Sequence, residues 1–209
     1  MMPSHRAPTR PPAPTRPSAL RPRVGGLRGG RRLLLAVVAL VAGACSGGSD
    51  SAEVDTGERP ELPRSVESAA SPLPDVAVWD VSDAEWVQFA DALPSDKPVL
   101  FWFWAPHCPA CAAEAGDMAA FAEANADTIE VIGIGTQDDP AMAAEFVERH
   151  GIEFQMLWDE SFETWSSFGV TSQPASALFS ADGESLGGWP GVLQEDEVLE
   201  LVEVRGAPA

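Results

Sequence analysis

The segment Pro98-Val99-Leu100-Phe101-Trp102-Phe103 is a continuous apolar run, and soon after it come two cysteines three positions apart, Cys108 and Cys111. A run with no polar alternation reads as a strand buried on both faces, in the middle of a sheet covered by helices. A helix is expected from Cys108 to about Asn125, with Met118, Phe121 and Ala122 on one stripe. The cysteines therefore fall where a buried strand gives way to a helix. A helix N-terminus carries unpaired N–H donors and partial positive charge, which stabilise a thiolate at Cys108. Cysteines so placed can ionise at about 3.5–7.5 rather than about 8.5. Cys111 lies one turn deeper on the same face, close enough to close a disulfide. Pro109 is tolerated because a first-turn residue has no intrahelical N–H bond to lose.

Strand and helix signals alternate around this centre. Val76–Val81 reads as a strand, and Ser82 with Glu85 as a capping box opening a helix to Ala92. Thr128–Ile134 is a second β-branched strand, and Asp138-Asp139-Pro140 starts a helix that Gly151 ends. Phe154–Trp158 follows as a strand and Glu160–Phe168 as a short helix closed by Gly169. Ala175–Ser180 and Glu184–Trp189 flank Asp182-Gly183, a hairpin signal, and a last helix covers Gln194–Arg205. The expected class is α/β, a three-layer sandwich with a mixed central sheet flanked by helices.

Charge narrows the partners. Residues 1–44 hold eight of the 13 basic residues and no acid, so the 165 residues from Cys45 carry 5 basic against 32 acidic side chains, a net −27. Such a surface repels phosphate backbones and anionic lipid, which excludes nucleic-acid binding and polybasic membrane attachment. Three Cys and three His build neither a disulfide-dense scaffold nor a four-Cys zinc site. Arg28, Arg31 and Arg32 precede the apolar run Leu33–Val41, and Ala42-Gly43-Ala44-Cys45 follows. That run is too short to span a bilayer, and the pattern is that of an export signal over residues 1–44. The Cys directly after small residues resembles a bacterial lipoprotein signal, which implies Cys45 as the lipidated first residue of the mature chain. An ordinary secretory signal with a chance Cys is the alternative. Residues 45–75 are rich in Ser, Gly, Pro and Glu and are expected to be a flexible tether, leaving 76–206 as the folded domain.

The residues Phe103-Trp104-Ala105-Pro106-x-Cys108-x-x-Cys111, with Glu114 one turn later, resemble the thioredoxin-fold oxidoreductases of the TlpA, ResA and DsbE type, in particular secreted DsbE/DsbF-like proteins. A second motif, Thr171-Ser172-Gln173-Pro174, matches the cis-proline that faces the cysteine pair in that fold. The resemblance covers about Val76 to Arg205. It implies a thioredoxin-like sandwich in which Cys108 attacks, Cys111 resolves, and Pro174 sits across the active site. It further implies that Glu114 relays a proton at the deeper thiol, that cysteine-containing extracytoplasmic proteins and a redox partner are its partners, and that no cofactor or metal is needed. His107, as a cation, would favour the Cys108 thiolate. Thioredoxin itself has a buried Asp six residues before its first Cys; that position is Trp102 here, which leaves Glu114 as the nearest carboxylate.

Blander readings stand beside these. The cysteine pair also reads as a structural disulfide or half a zinc site, Pro174 as an ordinary strand-opening proline, Glu114 as a solvated helix residue, and His107 as a ring pointing to solvent. A peroxide-reducing centre wants Thr three residues before its Cys, and residue 105 is Ala. Electron flow follows a potential difference that spacing does not report. Dithiol oxidase is the leading expectation, disulfide reductase the alternative, and a non-catalytic binding or metallochaperone module the second class.

Overall fold

The computed structural model describes residues 54–205. The expected export signal, Cys45 and the start of the expected tether lie outside the described residues. A seven-stranded mixed sheet runs in the order β2-β1-β5-β4-β3-β6-β7. Its strands are β1 (Ala77–Asp80), β2 (Glu85–Gln88), β3 (Val99–Trp104), β4 (Glu130–Gly135), β5 (Gln155–Trp158), β6 (Ala175–Phe179) and β7 (Ser185–Pro190). The helices are α1 (Pro109–Ala124), α2 (Pro140–His150), α3 (Glu163–Phe168) and α4 (Glu195–Arg205). β3, β4 and β5 are parallel and the other pairings antiparallel, so the expected α/β sandwich with a mixed sheet is what forms.

The apolar run of β3 divides cleanly between two cores, as a strand buried on both faces must. Leu100, Trp102 and Trp104 face α1, α2 and α4, meeting Met118, Phe146 and Val198. Val99, Phe101 and Phe103 face the other way, towards Trp165 and Phe168 of α3 and towards Phe89. Trp104 stacks on Phe146 at 4.5 Å between ring centroids. β4 makes room for this stack: a Cβ on Gly135 would lie 2.8 Å from the Trp104 ring and 2.9 Å from Trp158. In the β6–β7 hairpin Gly183 takes φ 88°, the left-handed value the Asp182-Gly183 signal requires.

Two expectations are corrected. Residues 82–92 do not form a helix. The Asp80 carboxylate accepts the N–H groups of Ser82 (3.0 Å) and Asp83 (3.1 Å), which turns the chain at once. Glu85–Gln88 then pairs antiparallel with β1, Trp86 packs edge-on against Trp79, and only Phe89–Ala92 is helical, as a 3₁₀ turn. The stretch expected as tether differs as well, because from residue 54 it is laid on the domain. The Arg64 guanidinium donates to the carbonyls of Ser68, Ser71 and Leu73 and pairs with Asp75 at 2.7 Å. The Gln88 amide donates to Leu62 O and the Trp86 indole to Thr56 O. Side-chain bonds to backbone hold this segment together with a few apolar anchors, Leu73 buried in one core and Val54 packed against the other, so a count of bulky apolar residues misses it.

Candidate redox site

The carboxyl ends of β3, β4 and β5 and the start of antiparallel β6 lie at one end of the sheet, and the loops that follow or precede them collect there. Ala105 to Cys108 is a tight turn closed by the Cys108 N–H on Ala105 O at 3.1 Å. Cys108 is the N-cap of α1, with extended backbone and with its sulfur accepting the Cys111 N–H at 3.1 Å. Its sulfur thus stands at the unpaired donors of a 16-residue helix, with Pro109 in the first turn. The two cysteines form a disulfide with Cα atoms 5.3 Å apart. Cys108 is 6% exposed and Cys111 0%, so only the first has a path to a partner.

Pro174 follows a cis peptide and immediately precedes Ala175, which pairs with Phe103. It therefore lies at the same sheet end as the Cys108 turn. Its carbonyl accepts the Gly191 N–H at 2.8 Å, tying the loop before β6 to the loop after β7. A groove of about 350 Å³ runs beside it between Phe168, Val170, Ala175 and Pro190.

Glu114 is buried. Its carboxylate accepts the Trp102 indole N–H at 3.2 Å and the Leu193 backbone N–H. Burial raises its pKa above the ordinary carboxylate range, the two hydrogen bonds pull the other way, and the charge of Asp117 adds to the rise. Trp102, at the position of thioredoxin's buried Asp, therefore acts here as a donor that orients a carboxylate on the neighbouring helix. The solvated-face reading of Glu114 is corrected by this burial. The Leu193 contact joins positions 79 residues apart and has no local sequence signal.

His107 does not simply point to solvent. Its Nδ1 lies 2.5 Å from Asp138 Oδ2, in the loop between β4 and α2. The sequence reading assigned Asp138 to the start of α2. Asp139 alone fills that role, accepting the Met142 N–H at 3.0 Å. Two adjacent Asp before a helix that needs one cap was the available signal. Among the described residues no three His, Cys, Asp or Glu side chains gather as a metal-ligand set, and no helix is long and apolar enough to cross a membrane.

A two-cysteine pair capping the first long helix of a mixed sheet, with a cis-proline at the same sheet end, defines a thioredoxin-fold protein with a redox-type cysteine pair. The chain belongs to the AhpC/TSA family, whose model matches residues 69–185. It is 37% identical over 89 residues to the soluble secreted antigen MPT53 of Mycobacterium tuberculosis, covering 43% of this chain and 51% of that one. It is 26% identical over 109 residues to the thiol-disulfide oxidoreductase ResA of Halalkalibacterium halodurans, covering 52% and 62%. The chain thus spans about half to three-fifths of the length of these curated relatives. Among solved structures it is similar to a secreted Mycobacterium tuberculosis disulfide oxidoreductase homologous to E. coli DsbE, with TM-score 0.53 and 28% identity over 62% of this chain and 95% of that one.

Proposed function

We propose that the protein is an exported thiol–disulfide oxidoreductase that oxidises cysteine pairs in proteins outside the cytoplasm. The observation that carries this reading is the Cys108–Cys111 disulfide with Cys108 as the N-cap of α1. A substrate thiolate attacks Cys108 Sγ, a mixed disulfide forms and Cys111 leaves, taking up a proton. A second substrate thiolate then attacks the substrate sulfur and expels Cys108 as a thiolate, which the helix N-terminus stabilises. Two electrons and one proton pass to the protein, the second substrate proton goes to solvent, the substrate leaves with a disulfide, and a redox partner restores the oxidised pair. Glu114, one turn beyond Cys111, is the carboxyl group in this role that can exchange the Cys111 proton. The backbone before Pro174 offers an edge on which an extended substrate segment pairs by β-augmentation. A thiolate stabilised in the reduced form makes the disulfide oxidising, which is why oxidation is favoured over reduction.

The test is the reduction potential of the Cys108/Cys111 pair with an oxidative refolding assay on a reduced protein. A potential above thioredoxin's, about −270 mV, with refolding activity is the expected outcome. A potential at or below that value assigns the protein to reduction, and no exchange at all assigns it to a binding role.

We further propose that the mature chain starts at Cys45 and carries a lipid there, after removal of residues 1–44. MPT53 is named a soluble secreted antigen, which supports export and lends no support to the lipid. Cys45→Ala should release the protein from the membrane fraction or leave it mis-processed with a changed mass. Unchanged partition and mass reject the anchor.

A further inference from the structure

We infer that Asp138 is a positioning residue that sets the redox poise of the Cys108–Cys111 pair by committing the His107 ring to itself. This rests on the thiol-exchange reading above. His107 precedes the N-cap cysteine directly, in the turn closed by the Cys108 N–H on Ala105 O. In the disulfide form its Nδ1 is held at 2.5 Å by Asp138 Oδ2. The carboxylate reaches it through an unusual backbone: Gln137 and Asp138 have φ of 66° and 62°, two successive left-handed residues that both carry a Cβ. Such a conformation is sparsely populated and persists where tertiary contacts fix it. Asp139, the next carboxylate, is occupied at the head of α2, and Glu145 of α2 pairs with Arg149. Asp138 is the group of this loop that engages the ring.

The consequence follows from competition. Reduction to the ionised form adds two electrons and one proton to the disulfide, the proton on Cys111, and leaves Cys108 as a new anion one residue from His107. His107 adjoins that anion in sequence, beside the Cys111 N–H that the sulfur already accepts, and its Nδ1 is engaged by Asp138. Asp138 therefore withholds part of the stabilisation the thiolate would otherwise receive, which keeps the pair less oxidising than helix-end placement alone would make it.

The experiment equilibrates the full chain with glutathione, in which protein disulfide and two glutathione thiols give protein dithiol and glutathione disulfide. Wild type, Asp138→Ala, His107→Ala and the double variant are compared, with the Cys108 thiolate titrated by its ultraviolet absorbance. Asp138→Ala should shift the equilibrium towards the dithiol by about fivefold, within the range of contacting pairs, and lower the pH at which Cys108 ionises. In the His107→Ala background the same substitution should change neither. An unmoved equilibrium in Asp138→Ala overturns the inference, as does a shift of equal size without His107, which would mean a direct charge effect. A purely structural role would lower thermal stability and leave the equilibrium alone. If wild type fails to exchange with glutathione, the thiol-exchange reading itself falls, and this inference with it. Both side chains are solvent-accessible, His107 44% and Asp138 24%, so the variants are expected to fold.

Discussion

Cys108→Ser should lower thiol–disulfide exchange by about 10³-fold or more, the scale on which removing a covalent catalyst acts. Cys111→Ser should instead accumulate a mixed disulfide between Cys108 and the protein substrate. The asymmetry comes from burial. Cys111 is fully enclosed beneath the first turn of α1, while Cys108 retains a small exposed surface. A substrate sulfur meets Cys108, and without Cys111 nothing inside the protein resolves the adduct. Non-reducing electrophoresis after mixing each reduced variant with a disulfide-bearing protein substrate reads both outcomes, since the variant thiolate attacks the substrate disulfide and displaces one of its sulfurs as a thiol. Equal trapping by the two variants would mean that both sulfurs are reachable and would reverse the assignment of roles.

Glu114→Ala should cost about 2–4 kcal/mol, because the Trp102 indole and the Leu193 N–H, both paired with this carboxylate, lose their acceptor. Urea unfolding gives this difference directly. A second signature lies in pH. The folded protein keeps a proton on Glu114 to higher pH than the unfolded chain does, because burial raises its pKa. Its contribution to stability is full below the unfolded-chain value and declines as pH rises through the folded-state value. Glu114→Gln removes that decline. If the carboxyl group also exchanges the Cys111 proton, the same variant slows exchange and flattens its pH profile over the same range. A stability curve with unaltered slope would show that Glu114 titrates alike in both states.

The features legible in sequence are those that one stretch of chain decides. The 98–103 run could only be an interior strand, Asp139-Pro140 and Gly151 bracket α2, and Asp182-Gly183 turns the last hairpin. Between β1 and Phe89 the local sequence is ambiguous, because Ser82 and Glu85 fit a helix start as well as a turn. The deciding group was Asp80, whose side chain lies outside the box. Arg64 and its carbonyl partners carry no such signal, because hydrogen bonds to backbone leave no apolar pattern. At the site, the Cys pair, Pro174, Glu114 and His107 were all visible as residues. Their partners were not, since Asp138 and Leu193 arrive from loops 31 and 79 positions away.

The aromatic packing that β4 accommodates has an optical consequence. Trp102, Trp104 and Trp158 share one core cluster with Cys108 and Cys111. A disulfide beside an indole drains its excited state by accepting an electron, and a pair of thiols does so much less. Emission should therefore brighten when the pair is reduced and dim when it is reoxidised. The oxidation state of the pair can then be followed turnover by turnover in the unlabelled protein, with its own interior as the indicator.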